Sequence, residues 1–377
     1  MADKNAAPDS LNRGLSKRHV TMIAIGGTIG TGLFLGAGDS ISLTGPSILF
    51  VYLLTGIFLY IMMRAIGELL YADPDNNSFV AFVSKYLGPG AGHFVGWSYW
   101  ITLILPAMAE LTAIGLYVQY WLPNVPAWLI EIIVMILLVG VNLFAVNFFG
   151  EAEFWFSSIK IIAILGIIAT GIIMMLTGFN APGAHGGPVS FANITHNFKF
   201  FPNGGMSFMQ AFPMVFFAFV GIEFVGLMSA ETKNPREVMP KVINTVLFRI
   251  LIFYVGALAI IMSIYDWRYL PSNQSPFVFI FKLIGIHWAA ALLNFVVLTA
   301  AMSALNTLIY SAGRDVYALA LENTGKWQSY FKVLSMKAIP SRAVLFSAIL
   351  IMLTPIINAL PIFESAFNFF ASATAAI

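Results

Sequence analysis

The stretch IAIGGTIGTGLFLGAG, residues 23–38, places glycines at 26, 27, 30, 32, 36 and 38. Two structures use glycine in this density. One is a loop whose backbone N–H groups cradle a phosphate; the other is a membrane helix that breaks in the middle. A dinucleotide-binding turn needs G-x-G-x-x-G after a strand and before a helix. Here Gly27, Gly30 and Gly32 read G-x-x-G-x-G, the reverse order, and no G-x-x-x-x-G-K-[ST] occurs. The flanks RHVTMIAI and LFLGAGDSI form one continuous apolar span rather than a βαβ unit. The phosphate reading falls on those two grounds.

The rest of the chain supports a membrane. Of 377 residues, 59% are hydrophobic and 10% charged, against about 25% charged in soluble domains. Mean hydropathy is +0.86. Apolar spans fall at about 20–38, 45–66, 94–120, 127–148, 154–178, 206–229, 242–264, 287–312, 343–360 and 361–377. Each reads as a helix, because lipid leaves backbone polar groups no other partner. Residues 1–18 are polar, with no cleavable signal peptide apparent. The last span stops at Ile377 with no polar tail, which suggests a chain truncated at its C-terminal end.

Charge placement orients the spans. With residue 1 inside, the inside segments 1–19, 64–93, 149–153, 230–241 and 313–342 hold 14 of the 19 Lys and Arg residues. The outside segments hold Lys199, Arg268 and Lys282; Lys160 and Arg249 lie within spans. This bias places the N-terminus in the cytoplasm. A net charge of +2 argues for no nucleic-acid partner. There are no cysteines, no H-E-x-x-H and no G-x-S-x-G, so neither a metal site nor an enzyme motif is legible.

Glycine in a helix interior costs about 1 kcal/mol relative to alanine. Packing against a neighbouring helix accounts for Gly36 and Gly38. The remaining cluster favours local unwinding, which is tolerated at membrane depth only where the backbone is buried or lines a cavity. Freed N–H groups there suit an anion and freed C=O groups a cation. A substrate with a carboxylate and an ammonium fits both. An inverted repeat of five spans then demands a second break in the sixth span, where FPMVFFAFVGIEFVGLMSAE (212–231) carries Gly221 and Gly226 around Glu223.

These residues resemble a known family. RHVTMIAIGGTIGTGLFLGAG with GPSILFVYLLTGIFLYIMMRAIGELL is similar to the start of bacterial amino-acid permeases of the amino acid–polyamine–organocation superfamily. GEAEFWFSSIKIIAILG (150–166) resembles their fifth helix, FFAFVGIEFVGLMSAETKNPREVMPKVI (216–243) their sixth and its loop, and LTAAMSALNTLIYSAGRDVYALA (298–320) their eighth. The resemblance implies an all-α transporter core of five plus five inverted helices with the first and sixth broken. It divides the chain into a cytoplasmic segment (1–19), a first repeat (20–178), an extracellular loop (179–205) and a second repeat (206–377) whose tenth helix is incomplete. The last two of the family's twelve helices would be missing, which leaves open whether the chain is active. FAFVGIEFVG, SPFVFIF and NFVVLTAA look closest to permeases of small neutral amino acids, the D-serine/D-alanine/glycine type.

The implied activity is amino-acid import across the plasma membrane by proton symport, with a proton gradient and no cofactor. An amino-acid exchanger, a permease for aromatic or other neutral amino acids, and an inactive truncated homologue are the alternatives. By resemblance, the substrate carboxylate meets N–H groups near Gly30, Thr31 and Gly32. The ammonium meets carbonyls near Thr28, Phe217, Ala218 and Val220, and Glu110 joins Phe217 in the side-chain pocket.

Ionisable groups at membrane depth carry separate expectations. Lys160 either snorkels to the interface or couples protons against the broken first helix. Glu223 either caps freed N–H groups beside Gly221 or gates. Glu110 makes an interhelical hydrogen bond or a substrate contact. Arg249 snorkels or pairs with a loop acid. The loop residues Glu231, Lys233, Arg236, Glu237 and Lys241 form an intracellular gating network or a solvated loop. The partners implied are an amino-acid substrate and the bilayer; the oligomeric state is open.

Overall fold

A computed structural model describes residues 16, 18, 20–22, 29–73, 79–143, 146–183, 186–224, 235–272, 274–321, 325–336, 338–359 and 366–377. Among these the only β-pairing is an isolated antiparallel bridge between Asn180 and Pro188. Everything else with regular structure is helical, as lipid requires.

In the first span residues 20–22 are helical, and beyond Gly30 the helix restarts as α1 (Thr31–Phe34) and runs on through α2 (Gly36–Thr44). A 3₁₀ turn, Gly45–Ser47, leads into α3 (Ile48–Ala72). After a short α4 (Phe79–Leu87) come the long α5 (Pro89–Gln119), α6 (Ala127–Asn142) and α7 (Val146–Leu176). The connection that follows holds α8 (Ala192–Thr195). The sixth span comprises α9 (Gly205–Gln210) and α10 (Phe212–Ala218), and the seventh is α11 (Pro235–Ile264). Then come α12 (Pro276–Leu283), the long α13 (His287–Leu321) and α14 (Lys326–Phe331). α15 (Ser341–Ile351), α16 (Thr354–Asn358) and α17 (Ala366–Thr374) complete the set.

Five helical runs among the described residues are long and apolar enough to cross a membrane: Gly36–Leu69, Pro89–Gln119, Glu153–Leu176, His287–Leu321 and Ser341–Asn358. Shorter apolar helices cover Ala127–Asn142, Gly205–Ala218 and Leu251–Ile264.

α13 lies at the centre and packs along α5, α7 and α15, while α17 closes on α5 and α10. The helices are sorted by face. On α7, Ile162, Leu165, Ile172 and Ile173 are exposed, whereas Glu153, Ser157 and Lys160 are completely buried. On α3, Leu54, Phe58 and Ile61 point outward and Val51, Tyr52, Leu59 and Met63 inward. An apolar exterior around a partly polar interior is what a bilayer selects.

Several segments differ from their reading as loops. Residues 79–87 form α4, with Val80 and Phe82 buried and Lys85 paired to Asp73 at 2.8 Å. Residues 276–283 form α12, with Pro276, Phe277, Val278 and Ile280 buried. Arg314 and Asp315, assigned to a cytoplasmic segment starting at 313, lie inside α13 and are buried. The Arg314 guanidinium stacks 3.3 Å from the Tyr310 ring centroid, one turn earlier, and this contact offsets part of the cost of burying the cation.

Candidate functional site

Both expected helix interruptions have a physical form. Ile29 is non-helical, Gly30 is extended (φ −121°, ψ −153°), and the helix begins at Thr31. In the sixth span α10 ends at Ala218 and residues 219–223 form turns, with Gly221 at φ +100°. That left-handed conformation disfavours any residue with a Cβ. Helical backbone resumes at Phe224.

The two interruptions touch. A Cβ on Gly32 would stand 2.5 Å from the Ala218 Cα and 2.8 Å from its nitrogen. Only glycine permits this approach, so the start of α1 and the end of α10 meet backbone to backbone. Around that contact Gly30, Gly32, Pro106, Glu110, Phe217, Val220, Ala304 and Leu308 line a cavity of about 10 Å³. This is roughly the space of one water.

Each wall has a local cause. The Thr31 N–H, first of the new helix, is donated to Glu110 from α5, at 3.0 Å to Oε1 and 3.3 Å to Oε2. A helix N-terminus favours an anion, and here the anion is a buried carboxylate. Pro106, one turn before Glu110, interrupts the α5 hydrogen-bond ladder beside the cavity because it has no N–H. On the other wall the Ala218 carbonyl accepts the Tyr254 hydroxyl of α11 at 2.6 Å. Tyr254 stacks on Phe219 at 5.0 Å between centroids, which fixes the turn from behind. Phe217 meets Phe367 of α17 edge-on at 5.7 Å.

Glu223 accepts the Gly221 N–H at 3.0 Å and the Tyr99 hydroxyl at 3.4 Å. It caps the turn, as one of its two readings requires. Lys160 does not snorkel: it is fully buried on α7, and its Nζ donates to the Ser303 hydroxyl of α13 at 2.8 Å.

The structure thus brings Gly30, Thr31, Gly32, Glu110, Phe217, Ala218 and Val220 to one place, with Lys160 close enough to Glu110 for an electrostatic interaction. Thr28, Glu231 and Lys233 lie outside the described residues, as does Gly226. Arg236 and Arg249 are described only as helical backbone of α11. Glu237 and Lys241 pair with each other at 3.4 Å, both more than half exposed. That is an i,i+4 surface pair, of small energetic weight.

Other buried polar groups went unnoticed in the sequence. Glu153 of α7 is completely buried and accepts a hydrogen bond from the Ser303 hydroxyl. Glu131 of α6 is buried and accepts the Asn358 amide at 2.8 Å. Asn142 donates to the Asn306 side chain at 2.8 Å. Helical spacing was the available signal: Glu153, Ser157 and Lys160 recur on one face of α7.

Comparison with known proteins adds the identity of this arrangement. The sequence profile of the amino acid permease family matches residues 19–377. A DL-alanine permease of Lactococcus lactis subsp. cremoris is 51% identical over 372 residues, spanning 98% of this chain and 80% of the relative. A serine permease of the same organism is 49% identical over 367 residues, 96% of this chain and 80% of the relative. A D-serine/D-alanine/glycine transporter of Escherichia coli is 45% identical over 347 residues, 92% of this chain and 73% of the relative. Apolar helices around a buried polar break, and a family profile over almost the whole length, lead to one assignment: this integral membrane protein belongs to the amino acid permease family and is a transporter, not an enzyme.

Proposed function

We propose that the chain imports small neutral amino acids across the plasma membrane, driven by protons, with its N-terminus in the cytoplasm and an inverted repeat of five plus five helices around the two interruptions. The observation that carries the reading is the Thr31 N–H donated to a carboxylate at the meeting point of α1 and α10. This backbone position already binds the functional group that every amino acid has.

In the proposed site the substrate carboxylate takes the N–H groups of Gly30, Thr31 and Gly32. The ammonium takes carbonyls of the sixth-span turn, including Ala218, whose oxygen keeps one lone pair after accepting Tyr254. Thr28, Phe217 and Val220 complete this ring of contacts. A cavity of about 10 Å³ holds no amino acid, so substrate entry requires α1 and α10 to separate and the Glu110 carboxylate to leave the Thr31 N–H. Recognition through backbone explains a general amino-acid site, and Phe217 and Leu308 stand at its wall, where they would limit the room for a side chain.

Three kinds of support favour proton coupling. Lys160 is completely buried rather than at an interface. It interacts electrostatically with Glu110, the residue on the Thr31 N–H. Homologous permeases are named for alanine, serine and glycine, which carry no net charge to drive their own accumulation.

The test is uptake of labelled alanine into proteoliposomes with an imposed pH gradient, competed by a panel of amino acids. Symport predicts accumulation above equilibrium that collapses when the gradient is dissipated. Lys160→Met should retain alanine binding and lose that accumulation. Uptake that responds only to amino acid loaded on the opposite side would instead identify an exchanger.

A further inference from the structure

Lys160 interacts electrostatically with two carboxylates. Glu110 stands on the side of the helix interruption; Glu153 precedes Lys160 by seven residues on the same helix. Seven residues bring the α-helix back to within about 20° of the same face, about 10 Å along the axis. A third residue, Ser303 from the facing α13, also connects the two side chains. Its hydroxyl accepts from Lys160 Nζ at 2.8 Å and donates to Glu153 Oε1. Ser157 and Thr307 flank the Glu153 carboxylate. Glu153, Ser157, Lys160, Ser303 and Thr307 have no solvent exposure at all. Among the described residues the charged groups that face Lys160 are Glu153 from its own helix and Glu110 from α5.

Two features of this group exceed what structure alone needs. The first is charge: one amine faces two carboxylates, and burial disfavours ionising all three at once, so the group has more than one place for a shared proton. The second is direction. Glu151, two residues before Glu153, is 44% exposed and paired with Arg18, so Glu153 is within a turn of solvent while Lys160 is two turns further in. The chain of polar groups therefore leads from the site to the end of α7.

We propose that Glu153 is the proton-transfer partner of Lys160, through the Ser303 hydroxyl, on the cytoplasmic side of the site. This rests on the symport reading. The step balances within three residues. The Lys160 ammonium gives a proton to Ser303 Oγ, and Ser303 gives its own hydroxyl proton to the Glu153 carboxylate. The products are a neutral amine, an unchanged serine and a neutral carboxylic acid. Glu153 then releases the proton toward the exposed end of α7. Glu153 touches no substrate in this scheme; it acts on Lys160.

The test uses the full chain in proteoliposomes, with two readouts. Counterflow of labelled alanine exchanges substrate without net proton movement, and accumulation under a pH gradient requires it. Glu153→Gln should keep counterflow within about twofold and lose gradient-driven accumulation by about tenfold or more, since a neutral amide of the same size cannot accept the proton. Its uptake rate should also lose its dependence on the internal pH. Ser303→Ala should show the same split, and Ser303→Thr, which restores the hydroxyl, should recover accumulation. Wild-type accumulation by Glu153→Gln, or parallel loss of counterflow and accumulation in both Glu153→Gln and Ser303→Ala, would overturn the proposal. If the unmodified chain itself ignores the gradient, the symport reading falls and this inference with it, a result distinct from either variant's behaviour.

Discussion

Gly32→Ala is the most direct perturbation of the proposed site, because it adds a single methyl group where α1 meets α10. The new Cβ would lie 2.5 Å from the Ala218 Cα, 2.8 Å from its nitrogen and 2.9 Å from its Cβ. Two of those three atoms are backbone and cannot rotate away. Restoring ordinary contact requires the two segments to part by about 1 Å, and overpacking of this kind costs about 1–3 kcal/mol. Against this, alanine gains about 1 kcal/mol over glycine in helical backbone. The balance predicts a protein that still inserts, with thermal stability lowered modestly. Transport should suffer more, since a displacement of about 1 Å at a binding constellation can cost about 100-fold. The measurement is the initial rate of alanine uptake per reconstituted molecule, alongside a thermal melt. Gly140→Ala and Gly166→Ala serve as controls: both lie in helices, and a Cβ at either meets nothing within 4 Å. Both should transport as the unmodified chain does. A Gly32→Ala protein with wild-type uptake would refute the idea that close approach at this point shapes the site.

Other perturbations have equally definite outcomes. Tyr254→Phe removes the hydroxyl that the Ala218 carbonyl accepts while keeping the ring stacked on Phe219, so the apparent alanine affinity should weaken with the melting temperature changed little, by the loss of one hydrogen bond worth about 1 kcal/mol; unchanged affinity would separate Ala218 from substrate binding. Glu223→Gln retains an oxygen to accept the Gly221 N–H and should transport nearly normally, whereas Glu223→Ala leaves that N–H unpaired and should slow uptake. If both variants are slowed alike, Glu223 does more than cap; if both transport normally, the cap does not matter for transport. Asn358→Ala removes the amide donor to buried Glu131 and should lower stability by about 1–3 kcal/mol in a melt, with substrate affinity retained.

What could be read in the sequence followed from solvent. A bilayer imposes helices, so composition and the length of apolar runs located most of them, and glycine density located the interruption at Gly30 because helix propensity and close packing make opposite demands on that residue. Boundaries were less legible where amphipathic or proline-started helices sit outside the long runs: α4 and α12 pass for loops because each is too short to give an apolar span. The buried ends of α13 passed for loop residues because Arg314 and Asp315 carry charge, and nothing local says that Tyr310 receives the guanidinium. Glu153 is the most telling case. It stands two residues from an exposed Glu151 and falls in the inside segment 149–153, just before the fifth span. Its role depends on Ser303, 150 residues away, and a serine in an apolar helix has no distinctive spacing. Periodicity could place Glu153 and Lys160 on one face of α7. It could not supply the hydroxyl between them, because the register of α13 against α7 is a tertiary property. A lone buried lysine therefore looked like the whole coupling device, whereas the folded chain joins it to Glu153 by way of a serine, a residue type that sequence reading passes over.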